Sequence, residues 1–445
     1  MRRHLHRHRR KLLSLQAWRI RLVFWGGALL LGGIAASFAL VAARMDHGFR
    51  DLVERWPWLP FVMMPLGLML INWLTRRFFP GAGGSGIPQV IAALQMKQRA
   101  AVLSFRIAVG KLLLTSLGLF CGASIGREGP TVHIGASIMY SLRRFASFPD
   151  FYYRHGLIAA GGAAGVAAAF NTPLAGIVFA LEEISRSFEA RTNGVIMTAV
   201  IFAGLTAMAL LGNYSYFGVS DVQFALNPML VLSILLCGII GGLLGGLFSQ
   251  ALISGNRWIR PWITRYPLRV TALLGLLLAC IGWLSGHDSF GTGYEKAYGI
   301  ITGEGDFDPW FPLYKFMATL GSYLTGIPGG IFAPSLATGA GIGQNLAHWI
   351  PIAPVAFMVM VGMVAYFAGV IQAPITAMVI VLEMTSNENM IFPLMISALL
   401  GSGASSLVCP RSLYRVLAED FLNPAGKPAA RARREDSGED DQMQR

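Results

Sequence analysis

Charged residues are scarce in this sequence. Only 13% of its 445 residues are Asp, Glu, Lys or Arg, whereas 54% are hydrophobic. A soluble domain usually carries roughly 25% charged residues. The chain also has no HExxH pattern of zinc peptidases, no phosphate-binding P-loop and no complete dinucleotide-binding fingerprint. The composition therefore excludes a soluble enzyme, and no motif supports ATP-driven pumping.

Cysteine is rare as well. The chain has four cysteines, which are widely spaced and mostly lie within apolar runs: Cys121, Cys237, Cys280 and Cys409. No two of them form the CxxC pair that is typical of redox and zinc sites. We therefore expect packing roles for these side chains, and we expect neither a metal site nor a cofactor.

Long apolar runs, in contrast, are abundant. They recur over 23–43, 59–74, 107–120, 194–211, 229–252, 270–284, 354–382 and 391–408. Several are long enough for the roughly 20 residues with which a helix crosses a bilayer. The sequence therefore predicts an all-α polytopic membrane protein that is surrounded by the lipid bilayer.

Positive charge is concentrated at the N-terminus. The formal net charge is +13, and eight basic residues precede the first apolar run: Arg2, Arg3, Arg7, Arg9, Arg10, Lys11, Arg19 and Arg21. This is the positive-inside pattern of a cytoplasmic terminus rather than an indication of a nucleic-acid partner. The following apolar run is too long for a cleavable signal peptide. We expect a basic N-terminus over 1–22, a transmembrane domain over 23–420 and a polar tail over 421–445. Both termini are expected to be cytoplasmic, and the protein to lie in the cell (inner) membrane.

The chain contains an internal repeat. The segment 171–182 resembles 372–383, which lies 201 residues later. A glycine-rich run precedes each copy, and a Gly/Pro interruption lies further upstream, over 126–130 in one half and 326–334 in the other. The halves extend over roughly 23–212 and 225–420. The sequence pattern alone leaves open whether they are parallel or inverted.

The two interruptions predict broken helices. Pro130 and Pro334 each precede a helix-compatible stretch of about a dozen residues, which spans only about 18 Å of a hydrocarbon layer of about 30 Å. One such break would be explained as well by close helix packing. A matched pair indicates a substrate site near the midplane, with helix N-termini directed at an anion.

A glutamate lies within the first interruption. Glu128 stands between Gly126 and Pro130 at the start of a predicted helix, where backbone N–H groups are unpaired and the helix dipole is positive. An acidic residue at membrane depth is costly, which favours a functional role. A carboxylate in this position can be exchanged for another anion. A third break, over 83–88, places the hydroxyl of Ser85 between two glycines.

These breaks contain three motifs in a fixed order: GSGIP over 84–88, GREGP over 126–130 and GIFAP over 330–334. Together they resemble the CLC family of chloride channels and chloride/proton antiporters, here in a form without a cytoplasmic regulatory domain. The resemblance covers roughly residues 23–420. It implies two inverted halves whose broken helices meet at a midplane anion site. It also implies a homodimer in which each subunit has its own pathway for chloride.

The resemblance assigns roles to individual residues. The hydroxyls of Ser85 and Tyr414 and the backbone amides of Ile331 and Phe332 are expected to bind chloride. Glu128 resembles the gating glutamate that competes with chloride and transfers protons. The other residues of the three motifs are expected to line the pathway: Gly84, Gly86, Ile87, Pro88, Gly126, Arg127, Gly129, Pro130, Gly330, Ala333 and Pro334. Lys111, in an apolar run, is expected to add positive potential.

Two adjacent glutamates have different expected roles. Glu182 aligns with Glu383 in the second repeat, so packing or capping common to both halves explains it. Glu183 aligns with Met384, and it resembles the family's internal proton acceptor. Glu128 and Glu183 together favour voltage-sensitive exchange of Cl⁻ for H⁺, and a passive chloride channel on the same fold is the alternative. Ser85, where a proline would favour nitrate, favours chloride.

One enzymatic alternative is present in the sequence. Residues 122–126 fit the G-x-S-x-G pattern of serine hydrolases, with Ser124 as nucleophile and His133 as a possible base. The strand that should precede such a nucleophile is missing, and small residues are common in packed membrane helices. We therefore expect a secondary transporter, not an enzyme, with His133 in a structural role.

Overall fold

The computed structural model describes residues 14–149, 155–185, 190–212, 215–218, 222, 224, 227–351 and 353–422. These residues form seventeen α-helices and no β-strand. The first half contains α1 (Leu15–Arg55), α2 (Pro60–Phe78), α3 (Ile87–Gln95), α4 (Phe105–Phe120), α5 (Glu128–Ser141), α6 (Leu157–Phe170), α7 (Pro173–Phe179) and α8 (Ala190–Leu211). The second half contains α9 (Pro228–Arg265), α10 (Pro267–Leu284), α11 (Tyr294–Thr302), α12 (Phe311–Leu324), α13 (Phe332–Trp349), α14 (Val355–Ile371), α15 (Pro374–Thr385), α16 (Ile391–Val408) and α17 (Leu413–Leu422).

Within the described residues, six helical segments are long and apolar enough to cross a membrane: Leu15–Arg55, Arg99–Phe120, Asn193–Leu211, Pro228–Arg265, Pro267–Leu284 and Glu388–Val408. The prediction of an all-α polytopic membrane protein is confirmed. Helix α1 begins eight residues before the predicted transmembrane domain, because the side chain of Ser14 accepts a hydrogen bond from the Ala17 N–H and caps it. The rest of the predicted basic N-terminus, and residues 423–445 of the predicted tail, lie outside the described residues.

The internal repeat is visible in the backbone. Helices α6 and α14 are followed directly by Asn171 and Gln372, which both adopt the left-handed conformation, with φ of 59° and 54°. Helices α7 and α15 then begin at Pro173 and Pro374, 201 residues apart. The sequence echo therefore marks two copies of one helix–turn–helix unit.

The two copies also cap each other. The carboxylate of Glu182 accepts hydrogen bonds from the N–H groups of Ile375 (3.1 Å) and Thr376 (2.6 Å) at the start of α15. Glu383 accepts from Leu174 (3.1 Å) and Ala175 (2.7 Å) at the start of α7. A reciprocal contact, in which each copy caps a helix of the other, is characteristic of a local twofold axis. This axis relates the two copies, and the capping role expected for Glu182 is confirmed.

The broken helices begin inside the protein, but one is longer than expected. Helix α5 has 14 residues and α13 has 18, and each begins two residues before its proline. Eighteen residues span about 27 Å, so the predicted length of about a dozen residues is wrong for α13. This helix is buried from Phe332 to Ala347, so protein rather than lipid surrounds it.

Small residues allow the broken helices to pack closely on the helices that follow them. A Cβ on Gly161 of α6 would collide with the backbone of Gly135 in α5. In the second half, a Cβ on Gly362 of α14 would stand 2.6 Å from the Gly339 carbonyl of α13. Glycine at these positions brings the two backbones into direct contact. The pair α5–α6 therefore repeats as α13–α14.

Candidate anion site

The three glycine-containing breaks meet at the centre of the molecule. The N–H of Gly84 donates to the carbonyl of Ile327 (3.0 Å), and the N–H of Gly329 donates to Gly84 (3.3 Å). Gly126 and Gly330 exchange two backbone hydrogen bonds, each of 2.7 Å. The loop before α13 thus binds both other loops, although up to about 240 residues separate them.

The paired glycines occupy equivalent places in the two halves. Gly126 lies two residues before α5, and Gly330 lies two residues before α13. Their mutual hydrogen bonds place the approximate twofold axis at this point. It follows that Glu128 and Phe332, the first residues of the two helices, are structural counterparts.

Ser85 lies at the start of α3 between Gly84 and Gly86, whose φ angles of 71° and 104° favour glycine. Its side chain is fully buried. A Cβ on Gly129 would collide with the Ser85 Oγ, so the start of α5 touches this hydroxyl only because residue 129 has no side chain. The loop and the helix start form one surface.

Tyr414, the second residue of α17, completes this surface. Its side chain is fully buried, which excludes the role of an interfacial anchor. Its hydroxyl interacts with Ser85 and lies within electrostatic range of Glu128 and Glu183. Neither hydroxyl has a hydrogen bond of standard geometry to a described residue. The structure therefore brings together two hydroxyl groups from residues 329 positions apart.

Helix α13 points its N-terminus at the same place. Ile331 and Phe332 are buried, and the first N–H groups of a helix have no carbonyl partner within it. The ring of Phe332 lies 6.0 Å from that of Tyr414 and stacks on Phe170 at 6.3 Å. These contacts hold the first residue of α13 against the ring of Tyr414.

Glu128 lies between the starts of α5 and α13. Its side chain is fully buried, and the backbone N–H groups of Glu128 and Ala333 interact with its carboxylate. Neither oxygen reaches standard hydrogen-bond geometry with a described residue. The guanidinium of Arg127 adds positive charge nearby and donates to the Ala169 carbonyl at 3.3 Å. The carboxylate therefore occupies a position that favours any anion.

Glu183 lies in the short π-helix Ala180–Ser185 that follows α7, and its side chain is buried. The hydroxyl of Ser412, two residues before Tyr414, donates to its carboxylate at 3.4 Å. Glu182, in contrast, turns to the start of α15. The adjacent carboxylates thus face different elements, and only Glu183 faces the segment that carries Tyr414.

A buried lysine donates a hydrogen bond to the loop that carries Ser85. Lys111 of α4 is fully buried, and its ammonium donates to the Gly84 carbonyl at 2.8 Å. Lys315 of α12 is its counterpart: it is also fully buried and donates to the carbonyls of Ser289 (3.0 Å) and Gly291 (2.7 Å). Sequence reasoning missed Lys315. The available signal was its separation from Lys111, which equals the separation of Gly330 from Gly126.

Two cavities approach the site. One, of about 520 Å³, is lined by Gly83, Gly84, Tyr323, Arg76 and Arg260, among others. The second, of about 180 Å³, is lined by a set of residues that includes Asp46, His47, Arg127, Thr292 and Glu295. The first ends at the Ser85 loop and the second at the residue before Glu128.

The hydrolase alternative is wrong. The hydroxyl of Ser124 shares a hydrogen bond of 2.9 Å with Thr319, and its N–H donates to Ser322. The ring of His133 instead contacts the Val102 carbonyl at 2.8 Å. Ser124 lies in the loop between α4 and α5, not after a strand. In the described part of the chain, no group of three or more His, Cys, Asp or Glu side chains could hold a metal ion.

A buried polar centre at the starts of broken helices, inside an all-α membrane domain, defines the class of membrane transport proteins. Comparison with known families agrees: the family described as "Voltage gated chloride channel" matches residues 67–406. The chain belongs to this family, the CLC family.

Individual relatives are similar over most of their length. The H(+)/Cl(-) exchange transporter ClcA of Cronobacter sakazakii is 34% identical, over 87% of this chain and 86% of that protein. The ClcA of Klebsiella pneumoniae is 32% identical, over 86% and 84%. The structure of a slow cyanobacterial Cl⁻/H⁺ antiporter has a TM-score of 0.76 and 27% identity, over 91% of this chain and 98% of that chain. A CLC-type fluoride/proton antiporter has the same TM-score at 22% identity, over 89% and 96%, and shares the fold.

Proposed function

We propose that this protein is a secondary transporter that exchanges Cl⁻ for H⁺ across the membrane. The observation that carries the proposal is the fully buried carboxylate of Glu128 at the starts of α5 and α13, beside the hydroxyls of Ser85 and Tyr414. The names of the ClcA relatives and of the cyanobacterial antiporter support the same function. No chemical conversion of a substrate is involved, so the protein is a transporter and not an enzyme.

Chloride would bind where these donors converge. The hydroxyls of Ser85 and Tyr414 and the amides of Ile331 and Phe332 replace part of the water that the ion leaves behind. The dipole of α13 and the charges of Arg127 and Lys111 add positive potential without a direct ion pair. The small residues of the three motifs allow backbone groups to approach the ion. A dehydrated anion is thereby stabilised inside the protein.

Glu128 couples protons to this anion. When ionised, its carboxylate occupies an anion position between the two helix starts and excludes chloride. When protonated, it loses its charge and its attraction to these donors, so the side chain swings away and chloride takes its place. Because carboxylate and chloride compete for one set of donors, the binding of a proton and of an anion are thermodynamically linked.

Glu183 would transfer the proton at the other end of the route. It lies beside Ser412, and the hydroxyl of Tyr414 is within electrostatic range of both Glu183 and Glu128. A proton moving between the two carboxylates therefore passes the anion site. Chloride and protons would share the central part of the pathway and separate near Tyr414.

The charge distribution and the exposed surface of the transporter indicate its membrane location and its oligomeric state. We infer a location in the cell (inner) membrane with residues 1–22 and 421–445 in the cytoplasm, since the basic N-terminus follows the positive-inside rule. The transmembrane domain would extend over 23–420. We infer a homodimer, with α7 and α15 at the interface: Leu174 and Ile375, beside the mutual caps, are 61% and 52% exposed.

The reversal potential of the purified protein, under combined chloride and pH gradients, tests the function. Exchange moves net charge, and each charge that crosses 100 mV changes the energy by about 2.3 kcal/mol. We expect a reversal potential that shifts with the pH gradient and differs from the chloride equilibrium potential. A value equal to the chloride equilibrium potential would instead identify the alternative, a passive chloride channel.

A further inference from the structure

The larger cavity leads to the Ser85 loop. Its walls include Gly83 and Gly84 from this loop, Tyr323 from the end of α12, and Leu417 from α17, three residues after Tyr414. An anion that moves from this cavity to Ser85 therefore passes between Gly84, Tyr323 and α17. The loop that carries Ser85 therefore borders the cavity on one side and the candidate site on the other.

Tyr323 lies where the cavity meets the loop that carries Ser85. Its hydroxyl lies 3.6 Å from the position that a Cβ on Gly84 would occupy. It is also within electrostatic range of the Tyr414 hydroxyl. The side chain is half-buried, and its hydroxyl makes no hydrogen bond to the residues that the structure describes. A phenolic O–H is both a donor and an acceptor, so this group is able to donate to an ion in the cavity.

The cavity attracts anions. Arg76 and Arg260 line it, together with one acidic residue, Asp420. The guanidinium of Arg76 is fixed by hydrogen bonds to Asn72 (2.9 Å) and to the Ile263 carbonyl (2.9 Å). Arg260 is 3.8 Å from Asp420, so this carboxylate offsets only one of the two positive charges. A cleft with an excess of one sign of charge raises the local concentration of the opposite ion.

We propose that Tyr323 is a specificity-determining residue of the anion pathway. Its hydroxyl donates to an anion that is losing water in the cavity, before Ser85 and Tyr414 bind it. Such a donor favours small anions with concentrated charge, such as chloride, over large anions with diffuse charge, such as thiocyanate. This proposal rests on one part of the proposed function: it requires that the protein transports anions.

The test replaces the hydroxyl alone. Tyr323→Phe keeps the ring, and Tyr314→Phe, nine residues earlier on α12 and outside the cavity lining, is the matched control. Purified full-length variants are reconstituted into liposomes that contain chloride or thiocyanate, and anion efflux is measured without a pH gradient. We expect Tyr323→Phe to lower chloride efflux about fivefold, in line with the loss of one hydrogen bond. We expect thiocyanate efflux to change less than twofold and Tyr314→Phe to match the unmodified protein.

Two results would overturn the proposal. Unchanged chloride efflux in Tyr323→Phe would mean that the hydroxyl does not contact the ion. Equal losses for chloride and thiocyanate would mean that Tyr323 acts through packing. Each variant is compared with the unmodified protein for both anions under the same conditions, so the ratio of the two losses reports anion selectivity and not the presence of proton coupling. Failure of the Cl⁻/H⁺ exchange proposal is recognised separately, from the reversal potential of the unmodified protein.

Discussion

At the scale of single residues, the central feature is a set of carboxylates with different neighbours, of which Glu128 and Glu183 are buried. Glu128 lies among backbone amides and hydroxyls, Glu183 beside Ser412, and Glu182 on the start of α15. In the proposed mechanism, Glu128 would serve gating and Glu183 proton transfer, whereas Glu182 caps a helix, so the neighbours of each carboxylate would set its role. Three substitutions to glutamine separate these roles.

We expect Glu128→Gln to abolish proton transport while anion flux persists. Glutamine is close to glutamate in shape, but it is neutral at every pH, so it cannot bind and release a proton. Chloride-driven proton movement is measured in liposomes with a pH-sensitive dye, and chloride efflux with an electrode. Proton movement at the unmodified rate in this variant would contradict the gating role of Glu128.

We expect Glu183→Gln to lose proton transport and to retain chloride movement, because the proton then has no acceptor beside Ser412. The matched control is Glu182→Gln, which changes the neighbouring residue but leaves Glu183 in place. The same liposome assay compares the two, and the control should transport protons. If both variants behave alike, the internal proton route does not involve Glu183.

At the scale of elements, glycine positions decide how closely a helix start approaches the site. A Cβ on Gly129 would collide with the Ser85 Oγ and lie 2.8 Å from the Ser85 carbonyl and 3.4 Å from the Gly330 Cα. Two of these three atoms belong to the backbone, which moves less readily than the end of a flexible side chain. The start of α5 thus has no room for any side chain at residue 129.

We therefore expect Gly129→Ala to reduce chloride transport at least tenfold, because α5 must move away from Ser85. Gly33→Ala is the control, since no atom lies within 4 Å of a Cβ at Gly33. Chloride efflux from liposomes gives the comparison, and size-exclusion chromatography verifies that both variants are folded. Normal efflux in Gly129→Ala would show that the helix start and the hydroxyl need not touch.

The mutual caps predict a symmetrical effect on stability. We expect Glu182→Ala and Glu383→Ala each to lower the free energy of unfolding by about 1 kcal/mol, a typical value for the loss of an N-terminal cap. Thermal unfolding in detergent measures both, and the two shifts should be similar because the contacts are reciprocal. A large shift for one variant alone would contradict the equivalence of the two caps.

Much of this element structure could be predicted from the sequence. The three motifs indicate where helices start, and the echo of 171–182 in 372–383 indicates equivalent turns. The length of α13 could not be predicted, because its many small and polar residues give it little hydropathy although it is buried. The contact between Ser85 and Tyr414 was expected only from the family resemblance, since no local pattern joins positions so far apart in the chain.

At the scale of the whole molecule, two cavities of different size and charge approach one centre. The larger contains Arg76 and Arg260, whereas the smaller contains Asp46 and Glu295 along with Arg127. No single stretch of sequence indicates either cavity, because each is assembled from residues of both halves. Tyr323 was missed for the same reason: Gly84, which lies beside its hydroxyl, is distant from it in the chain.

The inferred homodimer gives a prediction at this scale. We expect fluorescently labelled protein, reconstituted at high lipid-to-protein ratio, to bleach in two steps, because the exposed apolar surface of α7 and α15 would pair with a second copy. Single-molecule imaging counts the steps, and a helical membrane protein of known monomeric state calibrates the labelling. A population that bleaches in one step would contradict the dimer.

The hydrogen bonds between Gly126 and Gly330 have a consequence for the origin of the molecule. If the two duplicated segments carried the same residues beside these paired glycines, the passage between them would have the same chemistry from either side. Glutamate at 128 and phenylalanine at 332 break that equivalence. At this position one half carries a titratable side chain and the other an apolar one, so a proton can change the charge on one side of the paired glycines and not on the other.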